Sequence, residues 1–92
     1  MNCKAKGARQ ELRSKAILEA AGYAVTKAGA SLGVFDLIGI SPTDIVLVQV
    51  KSNAWPRKEE MENITLFRCP GNCRKLLHRW RDRKRLPDVR EV

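Results

Sequence analysis

No apolar run in the sequence approaches the roughly 20 residues that a membrane-spanning helix needs. The opening MNCKAKGARQ also lacks the apolar core of a secretory signal, so a cytoplasmic location is expected. Cysteine is scarce, with three residues in 92. In a reducing compartment Cys3, Cys69 and Cys73 are expected as thiols rather than disulfides. Cys69-x3-Cys73 with the single histidine, His78, falls short of a structural zinc site, because a fourth ligand is missing unless the remote Cys3 joins. No internal repeat, low-complexity tract or linker divides the chain, so residues 1–92 are expected as one domain with a modest core, or as a protomer that leans on a partner. Acidic residues are the minority charge: 10 Asp+Glu against 18 Lys+Arg leave +8, and the pI is near 9.9. That balance favours a polyanionic partner, nucleic acid first, because neutralised phosphates release counterions.

Two adjacent apolar runs are interrupted where buried strands should be hydrophobic. They are GVFDLIGI (33–40), broken by Asp36, and DIVLVQVKS (44–52), broken by Gln49 and Lys51. Side chains alternate along a strand, so Gln49 and Lys51 share one face. Between the runs Ser41-Pro42-Thr43-Asp44 has the residues of a tight turn. Folding the chain there pairs Ile40 with Ile45 and sets Asp36 opposite Gln49, at a cross-strand Cβ separation of roughly 4.5–5.5 Å. A carboxylate, an amide and an ammonium then converge amid Val34, Ile38, Ile40, Ile45 and Leu47. A wetted hairpin face would also carry Asp, Gln and Lys, but polar groups among apolar neighbours cost free energy to desolvate and point instead to chemistry.

Around these strands the pattern predicts a helix over 8–21, with Leu12, Ala16, Ile17, Ala20 and Ala21 as its apolar stripe and Gly22 as its left-handed cap. A short strand follows over 23–27, which completes a three-stranded antiparallel meander. A second helix, about 56–67, opens on Pro56 and an acidic first turn and turns Met61, Ile64 and Phe67 inward. Residues 73–81 fit either helix or strand; the strand reading pairs them with 88–92 across the basic turn 82–87. The expected architecture is an α/β domain: a core over 7–52, the second helix, and a basic strand pair over about 73–92.

Asp36, Gln49 and Lys51 suit metal-assisted hydrolysis. A hard cation such as Mg²⁺ takes oxygen ligands at roughly 2.0–2.1 Å; Asp36 offers a carboxylate, and the Gln49 amide or the Val50 carbonyl offers neutral oxygens. Lys51 would steady an attacking water or the phosphate. Glu11 could reach the same patch if the first helix packs across the sheet.

The order Glu11, Gly33-x-x-Asp36, Gln49-x-Lys51 resembles the PD-(D/E)XK nuclease superfamily. It is most similar to the Holliday junction resolvase-like and VRR-NUC branches, where Gln can replace the acid of the last motif. Residues 30–39 carry most of the likeness, which covers about residues 7–52. The resemblance implies a restriction-endonuclease-like core, a central mixed sheet flanked by helices, and cleavage of branched or free-ended DNA, commonly by homodimers. It implies Glu11 as the helix-borne acid, Asp36 as the principal metal ligand, Gln49 as the second and Lys51 as the catalytic lysine. Ser31 would lie near the scissile phosphate. Because an amide brings no charge, Mn²⁺ is expected to serve better than Mg²⁺; an exonuclease or flap nuclease and a catalytically silent DNA-binding module remain alternatives. Arg79, Arg81, Arg83, Lys84 and Arg85, beside Trp80, suit phosphate contacts and base stacking, though the tract could also be a solvated turn. Trp55 reads better as a core or interface anchor.

Overall fold

The computed structural model of the protein describes residues 3–29 and 33–92. The elements run α1 (Cys3–Ala20), β1 (Ala24–Lys27), β2 (Leu37–Ile40), β3 (Ile45–Ser52), α2 (Lys58–Leu66), β4 (Cys73–Trp80) and β5 (Asp88–Glu91). The strands form one sheet in sequence order, antiparallel throughout except for the parallel β3–β4 pair. A parallel neighbour needs a crossover, and α2 lies within it. The mixed sheet and the αβββαβ order are those expected, and β5 pairs antiparallel with β4 as the strand reading of 73–81 has it.

Turn chemistry fixes the meander. The Ser41 hydroxyl accepts the Thr43 and Asp44 backbone N–H groups at 3.2 and 3.0 Å, and the Ser41 N–H donates to the Asp44 carbonyl at 2.9 Å. Ile40 therefore pairs with Ile45, as the sequence predicts. At the end of α1, Tyr23 N–H donates to Leu18 O and Gly22 N–H to Glu19 O, with Gly22 at φ 102. This is the double bond of a Schellman cap, which only a residue free of Cβ strain adopts readily.

The sheet buries both faces. Val46, Val48, Leu37 and Leu76 pack with Leu18 of α1, while Leu47, Leu77 and Phe35 pack with Ile64 of α2. Phe67 closes the second cluster edge-on to Phe35, with ring centroids 5.2 Å apart. Residues 73–81 are ambiguous in sequence for this reason: both Leu76 and Leu77 are buried. A strand covered on both sides loses the alternation that identifies strands.

Helix α1 departs from expectation. It begins earlier, at Cys3, and over 6–20 its buried positions are Gln10, Ser14 and Leu18, whereas Leu12 is 63% exposed. The reason lies beneath the helix, where β4 presents two polar aromatic groups. Ser14 Oγ lies 2.9 Å from His78 Nδ1 and accepts the Trp80 indole N–H at 2.8 Å. A hydroxyl satisfies these groups where an apolar side chain would leave them unpaired.

Candidate active site

Asp36 stands where β2 and β3 begin to part. Its backbone N–H donates to Val48 O at 2.8 Å, and its carbonyl accepts the Ala28 N–H at 2.9 Å. The register ends at Leu37–Val48: with the Asp36 N–H turned to Val48 O, the expected pairing of Asp36 with Gln49 does not form in the ladder. The Asp36 carboxylate accepts the Val50 backbone N–H at 2.7 Å. Burial raises its pKa, against the opposing influence of the Val50 hydrogen bond and the Lys51 charge.

Gln49 and Lys51 project from β3 toward α2, in the row that continues Ile45 and Leu47. Gln49 is 5% exposed. Its Nε2 donates to Glu60 Oε2 at 3.4 Å, and its Oε1 is the one buried side-chain nitrogen or oxygen without a hydrogen-bond partner among the described residues. Lys51 Nζ lies 3.3 Å from the same Glu60 oxygen. Burial works to raise the pKa of Glu60, but the Lys51 ammonium, with the Arg57 backbone and the Gln49 amide, brings it below the usual value.

Glu11 approaches from the α1 side. It lines a cleft of about 390 Å³ with Ala8, Leu12, Lys15, Thr26, Lys27 and Leu37. Burial first, and then the charge of Asp36, raises its pKa, while Lys27 opposes the shift. Asp36 is thus electrostatically linked to both Glu11 and Lys51. Ser31 lies outside the described residues.

The sequence does not single out Glu60, whose place in the first turn of α2 reads as a response to the helix dipole. The signal was spacing: Glu60, Ile64 and Phe67 stand at i, i+4 and i+7, on the face that packs against the sheet.

Donor chemistry decides whether a divalent cation suits this site. No cluster of three or more His, Cys, Asp or Glu side chains able to hold a metal occurs among the described residues. The oxygens available are the Asp36 carboxylate, the unpaired Gln49 Oε1 and the backbone carbonyl of Val50, with Glu11 linked electrostatically to Asp36. These are hard oxygen donors that suit Mg²⁺ or Mn²⁺ and not zinc. The Cys69, Cys73 and His78 grouping does not assemble. Cys69 and Cys73 are free thiols, and burial, with the hydrogen bond to Cys69, pushes Cys73 up to about 11. His78 points to the other face of β4, against Ser14.

The basic residues divide into two sets. Arg79 and Arg81 both hold Asp88, at 2.7 and 2.8 Å, and the Arg79 guanidinium also sits 4.4 Å from the centroid of Trp55, with Arg90 at 4.2 Å. Trp80, 1% exposed, has no face open to a base. Arg83 and Lys84 line a groove of about 210 Å³ with Lys6, Arg9, Gln10 and Arg13, residues of α1 that the sequence does not mark. Lys6 is paired with Asp82, and Arg13 stacks on Trp80 while donating to the Lys84 and Arg85 carbonyls. Among the described residues, Arg9, Arg83, Lys84 and Arg85 have no acidic partner. The groove reaches the end of β3: Gln10 accepts the Ser52 hydroxyl, and Asn53 accepts the Asp82 N–H at 3.2 Å.

No family model and no curated protein matches the sequence. Among solved structures the chain is similar to Hjc, a Holliday junction resolvase from the archaeal hyperthermophile Archaeoglobus fulgidus. The TM-score is 0.70 at 18% identity, over 95% of this chain and 71% of that one. At that identity the likeness concerns the fold, and the mixed sheet flanked by two helices is a restriction-endonuclease-like α/β fold.

Proposed function

We propose that the chain is a divalent-metal-dependent deoxyribonuclease that hydrolyses phosphodiester bonds in branched DNA such as four-way junctions, with residues 1–92 acting as one nuclease unit. The observation that carries the reading is Gln49 Oε1, a buried oxygen with no partner, two residues from Lys51 and next in the chain to Val50, whose N–H the desolvated Asp36 carboxylate accepts. An unsatisfied buried acceptor costs free energy, and a cation would satisfy it. The similar fold of a Holliday junction resolvase supports the substrate class.

Asp36, Gln49 Oε1 and the Val50 carbonyl would hold the ion, Mn²⁺ more readily than Mg²⁺ because Gln49 adds no charge. The chemistry such an ion supplies is acidification of water and neutralisation of phosphate charge. Glu11, which burial makes a stronger base than a solvated carboxylate, would orient or deprotonate the attacking water. Lys51 would stabilise the charge that develops on the phosphate. By the resemblance, Ser31 would contact the phosphate. Arg83, Lys84 and Arg85, with Arg9 from α1, would follow the backbone up to the end of β3. Two copies would bring two sites to a two-fold junction, and Leu66 of α2, 77% exposed, offers apolar surface for such pairing. A VRR-NUC-like branch of the superfamily fits the Gln49 motif.

The test is cleavage of labelled four-way junction, flap, linear duplex and single strand with Mg²⁺, Mn²⁺ or EDTA. Metal-dependent cutting of the junction, lost in Asp36→Ala and Lys51→Ala, is the expected result. Cutting of flaps or ends keeps the site and changes the substrate. Binding without cutting under either metal would sink the enzyme reading and leave a DNA-binding module.

A further inference from the structure

The amide of Gln49 has an acceptor end and a donor end, and only the acceptor can serve a cation. The two ends are nearly the same size, so packing alone scarcely distinguishes them. Glu60 does. Its carboxylate lies 3.4 Å from Gln49 Nε2. With the amide reversed, Oε1 would meet the carboxylate with no proton between them, two acceptors face to face. The orientation that suits Glu60 therefore leaves Oε1 as the unpartnered end. The same carboxylate accepts from the Lys51 ammonium at 3.3–3.4 Å, which stations that charge beside the amide.

From this geometry we infer that Glu60 is the positioning residue of the cation site: it turns the Gln49 amide so that its oxygen faces the ion and holds Lys51 alongside. The inference rests on the metal reading above and specifies how a neutral amide can serve in it. Gln49 and Glu60 are a matched pair. Were residue 49 a glutamate, its carboxylate would need no turning, and Glu60 would face a like charge.

That difference in sign is the test. Mn²⁺ binding to the EDTA-stripped, full-length chain is measured by the loss of the free Mn²⁺ electron paramagnetic resonance signal. The proteins are the unchanged chain, Glu60→Ala, Gln49→Glu and the double variant, with far-UV circular dichroism as the folding control. Partners that orient metal ligands typically contribute ~10–100-fold in affinity. Glu60→Ala is expected to weaken Mn²⁺ binding about tenfold when residue 49 is Gln, and to leave it unchanged or strengthen it when residue 49 is Glu. Equal weakening in both backgrounds would make Glu60 a direct ligand and overturn the positioning role. No weakening with Gln49 present would overturn it as well. Failure of the unchanged chain to take up Mn²⁺ would bring down the metal reading itself, and this inference with it.

Discussion

The Asp36 carboxylate accepts the Val50 backbone N–H at 2.7 Å, tying the end of one strand to the next at the point where the two separate. One oxygen is engaged by the chain while burial still raises the pKa of the group. A carboxylate whose folded pKa lies above its unfolded value binds more protons when folded, so its contribution to stability declines as pH rises through that window. At neutral pH the charge is a cost to the metal-free fold.

Asp36→Asn keeps an oxygen for Val50 N–H and removes that charge. The metal-free variant is expected to melt at a higher temperature than the unchanged chain at pH 7, and the gain is expected to shrink toward pH 4. Mn²⁺ should raise the melting temperature of the unchanged chain and not of the variant. Calorimetry with and without Mn²⁺ checks both; a lower melting point for the metal-free variant at pH 7 would remove Asp36 as a strained, functional carboxylate.

Ser14 serves two buried groups with one hydroxyl. Its replacement by Ala leaves Trp80 Nε1 and His78 Nδ1 without that oxygen, in a region with no solvent access. Unpaired buried groups cost about 1–3 kcal/mol each. Ser14→Ala is therefore expected to lose roughly 2–4 kcal/mol in urea denaturation, with no change in the divalent-metal requirement for cleavage. A loss under about 0.5 kcal/mol, the range of neutral surface substitutions, would show that the triad does not stabilise the fold.

His78 gives that region a pH signature. Burial holds its pKa below the ordinary value, whereas the unfolded chain titrates near about 6.5. The unfolded state therefore binds more protons in this window, and stability is lost as pH falls through and below that point. Urea midpoints measured from pH 7.5 to 5 should fall for the unchanged chain and stay nearly flat for His78→Gln. Parallel slopes would place the acid sensitivity in other groups.

How much of this was legible in the sequence depends on how far apart the interacting residues lie. The meander was readable because Ser41 to Asp44 fix the turn locally and the alternation of 45–51 fixes the face. From those two facts follow the Ile40–Ile45 pairing and the common direction of Gln49 and Lys51. The Asp36–Gln49 pairing does not follow, because Asp36 N–H turns to Val48 O one step early. The buried face of α1 was not readable. Ser14 is buried because of His78 and Trp80, more than sixty residues away, and helical spacing alone favours Leu12. Arg79 likewise reads as one of a run of cations, and only the pairing of β4 with β5 brings it to Asp88.

The basic turn offers a way to separate binding from stability. Arg83 sits at φ 67, in the left-handed region that favours glycine, and it lines the groove formed with α1. A non-glycine residue there costs about 1 kcal/mol or more. That conformation holds an arginine at the rim of a groove that leads to the end of β3 at Ser52. Arg83→Gly should relax the backbone and raise stability by about 1 kcal/mol. It should also weaken binding to four-way junctions in Ca²⁺ or EDTA, where cutting is not measured. Removing one cation from a phosphate reduces the slope of log K against log salt by about 1. Arg9→Ala, across the groove, should show the same change in salt slope without the gain in stability. If Arg83→Gly binds the junction with an unchanged slope, the groove is not part of the DNA surface, and the backbone strain at residue 83 needs another cause.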